Sequence, residues 1–261
     1  MANENRAKLN QLFKLWPTRT ICLSSWFKER GVSQPLTFSY VKSGWLAKVG
    51  AGAFKKAGDL IEWPGGLYTM QNQANLNIHL GGKSALQYQG YGHYLPMGEN
   101  YPLYLFGHRN LTLPAWFKNY SWQVEVVYAQ TNLFESSMNE GLTIVDVNGI
   151  SVKTSTAERA IMEVIYLIPK RETYNEALQL MGSLSAIRPK VVQSLLEKCN
   201  SIKVKRVFMV MAERYNYPWV KELDLSNVDF GKGKREFIKH GYLEPKYLIT
   251  IPKESEIDIE I

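Results

Sequence analysis

The sequence predicts an α+β protein with an N-terminal winged helix-turn-helix domain and a larger, mixed α+β C-terminal domain. Helical spacing of apolar residues dominates residues 6–43, whereas strand-like runs dominate residues 103–153. Helical spacing returns between residues 156 and 215, and such blocks without regular alternation are typical of α+β proteins. The 261 residues and the 45% hydrophobic content suit two domains, which we predict at residues 1–95 and 96–261.

Two helices and a tight turn are predicted at the start of the chain. Apolar residues at helical spacing occupy residues 6–16, and Pro17 ends this first helix. Ser24 can cap a second helix over residues 25–30, and Gly31 supplies the sharp turn that follows. A glycine between two helices is typical of the helix-turn-helix motif.

The third helix, predicted over residues 34–43, has the clearest boundaries. Ser33 is a good N-cap, and Pro35 falls in the first turn, where no backbone donor is needed. Gly44 favours the left-handed conformation that stops a helix. The inward side of this helix consists of Leu36, Tyr40 and Val41, and the outward side of Gln34, Phe38, Ser39 and Lys42.

A β-hairpin is predicted after the third helix. Its strands cover residues 45–49 and 53–54, and Lys55 and Lys56 follow the second strand. Three helices and a hairpin make a winged helix, in which the third helix enters the DNA major groove and the wing reaches the phosphates. The alternative is a small helical domain that packs only against another protein.

The net positive charge of the chain comes from this predicted winged helix. Residues 1–56 hold ten of the 31 basic and two of the 24 acidic residues, so this segment carries +8 and the remainder −1. Such an asymmetry is the electrostatic footprint of a DNA-binding module, and Gln34 is suited to read adenine. The residues predicted to contact DNA are Arg19, Ser33, Gln34, Thr37, Phe38, Ser39, Lys42, Lys48, Lys55 and Lys56.

The segment after the wing is predicted to close the first domain. Pro64-Gly65-Gly66 interrupts the chain, and short helices are predicted over residues 67–74 and 82–88. We place the junction with the second domain at Met97-Gly98-Glu99-Asn100.

Gly82-Lys83-Ser84 leads to an alternative function. A strand-like run followed by this motif superficially resembles a phosphate-binding loop, but that loop needs a glycine where this chain has Asn77. The alternative is therefore an enzyme or nucleotide-binding protein with an accessory winged helix. Micromolar ATP or GTP binding that is lost in a Lys83→Ala variant would favour it.

The second domain is predicted to place strands before helices. Asn148-Gly149 is the strongest hairpin signal in the chain. Strands are predicted over residues 103–106, 123–129, 142–147, 150–153 and 247–251, and helices over residues 156–167, 173–181, 189–199 and 204–215.

Six short motifs are distributed over nearly the whole chain. They are Tyr40-Val41-Lys42-Ser43-Gly44-Trp45-Leu46, His79-Leu80-Gly81-Gly82-Lys83-Ser84-Ala85-Leu86, Gly90-Tyr91-Gly92-His93-Tyr94-Leu95, Leu113-Pro114-Ala115-Trp116, Ser155-Thr156-Ala157-Glu158-Arg159-Ala160 and Asp229-Phe230-Gly231-Lys232-Gly233-Lys234-Arg235. Their order and spacing resemble those of the AbiEi antitoxin family. One departure is Ala157, where the family pattern has a proline that opens a helix.

The resemblance implies a transcriptional autorepressor that is also the antitoxin of a type IV, abortive-infection toxin–antitoxin pair. Its DNA partner would be an operator upstream of its own operon, which we expect to contain inverted repeats. The resemblance further implies a nucleotidyltransferase-like toxin, opposed without a stable protein complex by the C-terminal domain.

The best local candidate for the antitoxin surface is a basic loop near the end of the chain. Two glycines and three cations alternate in Gly231-Lys232-Gly233-Lys234-Arg235. Such a loop can hold a phosphate-bearing partner, and a solvated hairpin is the alternative. We predict that the antitoxin surface consists of Lys232, Lys234 and Arg235.

The sequence contains no pattern that predicts catalysis, a metal or a cofactor. Cys22 and Cys199 lie far apart and are predicted to be core thiols, and the four histidines lack ligand spacing. There is no obvious Ser-His-Asp set, so we predict that the protein is not an enzyme. No signal peptide and no apolar run of about 20 residues is found, so we expect a cytoplasmic protein without a membrane partner.

Overall fold

A computed structural model of the chain describes residues 2–91 and 102–257. Helices and strands both occur without regular alternation, which confirms the predicted α+β class. The chain forms two compact units, the first from Met1–His79, Asn110–Glu125 and Ile144–Lys153 and the second from Leu80–Arg109, Val126–Thr143 and Thr154–Ile261. The predicted junction at Met97-Gly98-Glu99-Asn100 lies outside the described residues, so the boundary between residues 95 and 96 stays a prediction.

The helices and strands are numbered here in chain order. The helices are α1 (Ala2–Leu15), α2 (Ser24–Glu29), α3 (Gln34–Lys42), α4 (Trp63–Asn72), α5 (Gly82–Tyr88), α6 (Ala115–Lys118), α7 (Ala157–Leu167), α8 (Tyr174–Gly182), α9 (Pro189–Lys198) and α10 (Ile202–Arg214). The strands are β1 (Cys22–Leu23), β2 (Leu46–Gly50), β3 (Ala53–Lys56), β4 (Ile78–Leu80), β5 (Leu103–His108), β6 (Val126–Thr131), β7 (Leu142–Val147), β8 (Ile150–Ser155), β9 (Arg235–Glu236), β10 (Tyr242–Glu244) and β11 (Ile249–Ile251).

The first unit contains three helices followed by a hairpin, as predicted, together with a short strand that the sequence does not predict. This strand, β1, pairs antiparallel with β3, and the sheet order is β1-β3-β2. The free edge of β1 is covered by Gln73, whose side-chain amide accepts from Leu23 N at 2.9 Å and donates to Ile21 O at 3.0 Å. Because a bare strand edge leaves backbone groups unpaired, this contact completes the small sheet.

Aromatic side chains form much of the core of the first unit. Trp16 at the end of α1 is 1% exposed and meets Phe27 of α2 edge-on, with ring centroids 5.7 Å apart. Phe27 also contacts Phe54 of β3 at 5.9 Å. Edge-to-face pairs contribute about 0.5–1.5 kcal/mol beyond their burial, so these three rings fix the hairpin against the helices.

The predicted cap of the second helix is wrong. Ser24 is the first residue of α2, Leu23 is the N-cap, and no side chain caps this end. The Ser24 N–H instead donates to the Gly52 carbonyl at 2.8 Å, and its hydroxyl donates to the same oxygen at 3.3 Å. The start of α2 is therefore bonded to the tip of the hairpin, a non-local contact that overrides the local capping preference.

Pro64-Gly65-Gly66 does not interrupt the chain, contrary to the prediction. These residues form the first turn of α4, where Pro64 is tolerated because its missing N–H has no partner there. Glycine is required by close packing, since a Cβ at Gly65 would overlap the Arg19 carbonyl and a Cβ at Gly66 would overlap the Trp122 ring. The helix is thus ten residues long and begins earlier than predicted.

A five-stranded sheet has the order β6-β5-β4-β8-β7 and contains two parallel strand pairs. Leu80 of β4 lies opposite Thr154 of β8, and β5 pairs with β6 along its whole length. The predicted turn between β7 and β8 is confirmed, with φ angles of 54° at Asn148 and 81° at Gly149. Positive φ at both central residues is what a type I′ hairpin turn requires.

Helices α7 to α10 build the apolar core of the second unit, and α7 is buried from Ala157 to Ile165. Polar groups in this helix are paired. Glu158 accepts from the Arg188 guanidinium at 2.9 and 3.0 Å, and Arg159 Nε donates to Glu163 at 3.0 Å. Burial raises the pKa of Glu158, but hydrogen bonds from Arg188, Thr156 and the backbone together outweigh burial and lower this pKa to about 2.

The remaining sequence expectations concern thiols, metals and membranes. Cys22 and Cys199 are both buried and free, and burial raises the pKa of Cys199 to about 11. Within residues 2–91 and 102–257, no three His, Cys, Asp or Glu side chains are grouped as metal ligands. None of the helices in these two ranges has the length and apolar character needed to cross a membrane.

Candidate nucleic-acid interface

The outward side of α3 is the central feature of the candidate interface. Ser33 caps the helix by accepting from Leu36 N at 3.4 Å, and the inward side is buried through Thr37 and Tyr40. No acidic residue occurs in α3. The exposed side chains of this helix include the four that were predicted to face outward, namely Gln34, Phe38, Ser39 and Lys42.

Two of the predicted contact residues shape α3 from within. The Ser33 hydroxyl caps the helix, and the Thr37 hydroxyl donates to the Ser33 carbonyl at 3.1 Å. Thr37 is 5% exposed, so its side chain has little surface for a partner. These side chains orient the helix whose outer face carries the remaining candidates.

A groove of about 710 Å³ runs between α2, α3 and the β2–β3 hairpin. Its apolar surface includes the buried side chains of Val32 and Phe54, and among the described residues that line it Lys28 and Lys48 contribute the only charges. The groove therefore combines an apolar floor with a positive rim. Its lining consists of Ser24, Lys28, Val32, Ser33, Gln34, Thr37, Phe38, Val41, Lys48, Gly52 and Phe54.

Three lysines surround this surface with unneutralised charge. Lys28, Lys42 and Lys48 are exposed, and none of them pairs with any residue that the structure describes. Lys42 and Lys48 are among the predicted contacts, whereas Lys28 is not. Its place in the last turn of α2, just before the glycine turn, is the sequence signal that identifies it.

Lys55 and Lys56, which were predicted to contact phosphates at the end of the wing, instead bond to backbone carbonyls of the first unit. Lys55 Nζ donates to the Asp59 carbonyl at 2.8 Å. Lys56 Nζ donates to the carbonyls of Phe13 at 3.3 Å and Trp16 at 2.8 Å, at the C-terminal end of α1. Burial lowers the pKa of Lys56. A cation that bonds the last carbonyls of a helix stabilises that end, so the geometry gives Lys56 a capping role.

Arg19 is also bonded within the first unit. Its guanidinium donates to Glu62 Oε2 at 2.8 Å and to the Asn148 carbonyl at 3.1 Å, and its backbone N–H donates to Asp59 at 3.2 Å. The adjacent Glu62 carboxylate offsets its charge. Arg19 therefore links α4 to the β7–β8 turn within this unit.

The basic loop of the second unit is a structured element. Arg206 of α10 is 2% exposed and donates to the carbonyls of Phe230 at 2.9 Å, Gly233 at 2.8 Å, Leu248 at 2.9 Å and Gly231 at 3.2 Å. This buried guanidinium fixes the path of the loop from within. The predicted surface residues remain exposed on the outside, and they are Lys232, Lys234 and Arg235.

The groups of Gly82-Lys83-Ser84 that a phosphate would need are bonded to carboxylates. Lys83 is 5% exposed and forms ion pairs with Glu172 and, at 2.9 Å, with Glu176. The Gly82 N–H, which a phosphate would need, donates to the Glu163 carboxylate at 3.0 Å. Carboxylates thus occupy both the backbone donor and the cation, and the alternative function gains no support here.

Comparisons with known proteins agree with the sequence motifs. A profile described as "Transcriptional regulator, AbiEi antitoxin, Type IV TA system" matches residues 101–252, and a profile for the N-terminal domain of AbiEi antitoxin regulators matches residues 5–97. No curated protein matches the chain. The crystal structure of RV2827C protein from Mycobacterium tuberculosis matches with a TM-score of 0.58 and 15% identity, covering 92% of this chain and 88% of that one, which supports the fold alone. The profile matches extend over most of the sequence, and the chain therefore belongs to the AbiEi antitoxin family of transcriptional regulators of type IV toxin–antitoxin systems.

Proposed function

We propose that the protein binds operator DNA as a winged helix and represses its own operon. The observation that carries this proposal is the outward side of α3, which has no carboxylate and is flanked by three lysines that pair with none of the described residues. Such a surface suits a major groove bordered by phosphates. The operator lies upstream of the operon in this proposal and contains inverted repeats.

The residues predicted to contact DNA have different roles in this proposal. Gln34 and Ser39 face the base edges, and Lys28, Lys42 and Lys48 neutralise phosphates. Five other predicted contacts are assigned a structural role, in which they hold α3 and the hairpin in place. They are Arg19, Ser33, Thr37, Lys55 and Lys56.

An electrophoretic shift with the full chain and its own upstream DNA tests the proposal. We expect binding that is at least about 1,000-fold tighter for the operator than for a scrambled duplex, and that weakens steeply as salt rises. Equal affinity for the two duplexes at physiological salt would contradict sequence-specific repression.

A matched pair of lysine variants separates DNA contact from helix capping. Lys48→Ala should weaken binding to all duplexes and make the slope of log K against log salt shallower by about 0.9, because one phosphate contact is lost. Lys56→Ala should instead lower the free energy of unfolding by about 1–2 kcal/mol, because the carbonyls of Phe13 and Trp16 lose a charged donor. Urea denaturation and salt titrations measure both effects. The assignment fails if Lys56→Ala changes the salt slope and leaves stability intact.

We further propose that the second unit carries the antitoxin activity, through the exposed cations of the loop that Arg206 holds. In this proposal the protein opposes a nucleotidyltransferase-like toxin without a stable complex, and repression and antitoxicity are separate activities of the predicted domains, residues 1–95 and 96–261. Three cations on one ordered loop suit an acidic or phosphate-bearing surface.

Changing the three loop cations together tests this second activity. The triple variant Lys232→Ala, Lys234→Ala, Arg235→Ala should rescue toxin-expressing cells at least about tenfold less well while operator binding stays unchanged. It should remain folded, since its side chains are exposed and Arg206 still holds the loop backbone. The control is a triple alanine variant of three exposed lysines elsewhere in this unit, which are Lys170, Lys190 and Lys221. Full rescue by the loop variant would rule the loop out.

A further inference from the structure

Phe38 is the one large apolar side chain among the exposed residues of α3, a helix that the structure describes in full. It is 69% exposed, between Gln34 one turn before it and Lys42 one turn after it. Residues four apart on a helix lie on one face, so these three side chains form a single row. A single exposed apolar side chain is common on protein surfaces, so the groups around the ring must show whether it binds a partner.

The surroundings of Phe38 indicate the chemistry of that partner. The ring borders the groove whose floor includes Val32 and Phe54, while Lys28 and Lys48 line the same groove. No carboxylate of residues 2–91 or 102–257 lines it. The surface therefore suits a ligand that has an apolar group with negative charges beside it. The DNA major groove offers such a group in the C5-methyl of thymine, with phosphates on both sides.

The spacing along the helix relates Phe38 to the base that Gln34 would read. Four residues of an α-helix span about 6 Å, and base pairs are stacked about 3.4 Å apart. We propose that Phe38 is a specificity-determining residue that packs against a thymine methyl, one or two base pairs from the pair contacted by Gln34. This inference rests on the proposed binding of operator DNA and adds which base feature is read.

Removing the methyl groups from the DNA tests the contact directly. The upstream duplex is made with thymidine or with deoxyuridine, which pairs identically but lacks the methyl. Transfer of one methyl-sized group from water changes affinity about fourfold, so the full-length protein should bind the deoxyuridine duplex about fourfold more weakly for each methyl contacted.

The variant arm of the experiment assigns this preference to Phe38. Phe38→Ala should bind the thymidine duplex more weakly and lose the preference for thymidine, whereas Phe38→Leu should keep part of it. Leu60→Ala is the matched control, because Leu60 is an apolar residue of the same unit that is 83% exposed and does not line the groove. It should keep the full preference.

The outcomes distinguish this inference from the function on which it rests. Salt-dependent, sequence-specific binding with equal affinity for both duplexes would overturn the role of Phe38 and leave operator binding standing. Absence of sequence-specific binding would overturn both. If Phe38→Ala instead converts a dimer into a monomer in analytical ultracentrifugation, while wild-type protein ignores the methyl groups, the ring serves self-association and the thymine contact is refuted.

Discussion

Replacing Arg206 with methionine is expected to lower the free energy of unfolding by about 3 kcal/mol and to abolish rescue from the toxin. The guanidinium donates to the carbonyls of Phe230, Gly231, Gly233 and Leu248, and methionine offers no donor to any of them. Because these four carbonyls would lose the donor that brings them together, the loop should leave its present path. The exposed cations of the loop would then lose their fixed arrangement.

Urea denaturation and toxin co-expression measure the two consequences of the Arg206→Met change. Arg235→Met is the control, because it removes an exposed cation from the same loop and should leave the free energy of unfolding within about 0.5 kcal/mol of wild type. Arg206→Lys should fall between them, since one ammonium cannot reach four carbonyls spread over this loop. Wild-type stability in Arg206→Met would show that the hydrogen bonds contribute little.

Lys83→Met is expected to destabilise the protein by about 3–5 kcal/mol at neutral pH, with no effect on nucleotide binding. The change leaves the buried carboxylate of Glu172 without its cation, and Glu176 loses the same partner. Burial already raises the pKa of Glu172 above its usual value of 4.5, and loss of Lys83 raises it further. Its protonated form is then favoured by folding, so the destabilisation should be largest at neutral pH and shrink as the pH falls towards 4.5.

A second substitution tests whether the unpaired charge causes the effect of Lys83→Met. The double variant Lys83→Met, Glu172→Met should recover most of the lost stability, because replacing both members of a buried ion pair costs far less than removing one. Glu176→Gln should cost less than Lys83→Met, since Glu176 is 44% exposed in its side chain and water can replace the ion pair. A double variant no more stable than Lys83→Met would refute this explanation.

The features that the sequence predicts correctly depend on residues close together in the chain. The cap at Ser33, the outward side of α3 and the Asn148-Gly149 turn follow from spacing and backbone preference within a few residues. The errors arise where distant residues meet. The sequence predicts that Lys56 contacts phosphates, but its side chain donates to the carbonyl of Trp16, forty residues earlier in the chain. The first turn of α4 is likewise fixed by packing around Gly66.

In the candidate site, too, the sequence predicts the local features and misses those that depend on tertiary contacts. The sequence identifies which side chains of α3 face outward, because helical periodicity alone sets that. It does not identify which cations are free, because neutralisation of Arg19 by Glu62 or capping by Lys56 depends on tertiary contacts. Nothing local distinguishes Arg206 from the other basic residues of α10, although its bonds to residues 230–248 hold the basic loop.

The first compact unit is drawn from three separate stretches of chain, and this has a consequence during protein synthesis. Trp116 lies against Gly50 of the hairpin, where an added Cβ would come within 2.8 Å of it, and Trp122 lies against Gly66 of α4. A nascent chain has completed α3 by residue 42 but acquires these two tryptophans, and then the β7–β8 turn, only as translation proceeds to residue 153. The unit that contains α3 can therefore be completed only after more than half of the protein has been synthesised. If α3 binds the operator as proposed, operator occupancy is tied to chains of which more than half has already been synthesised.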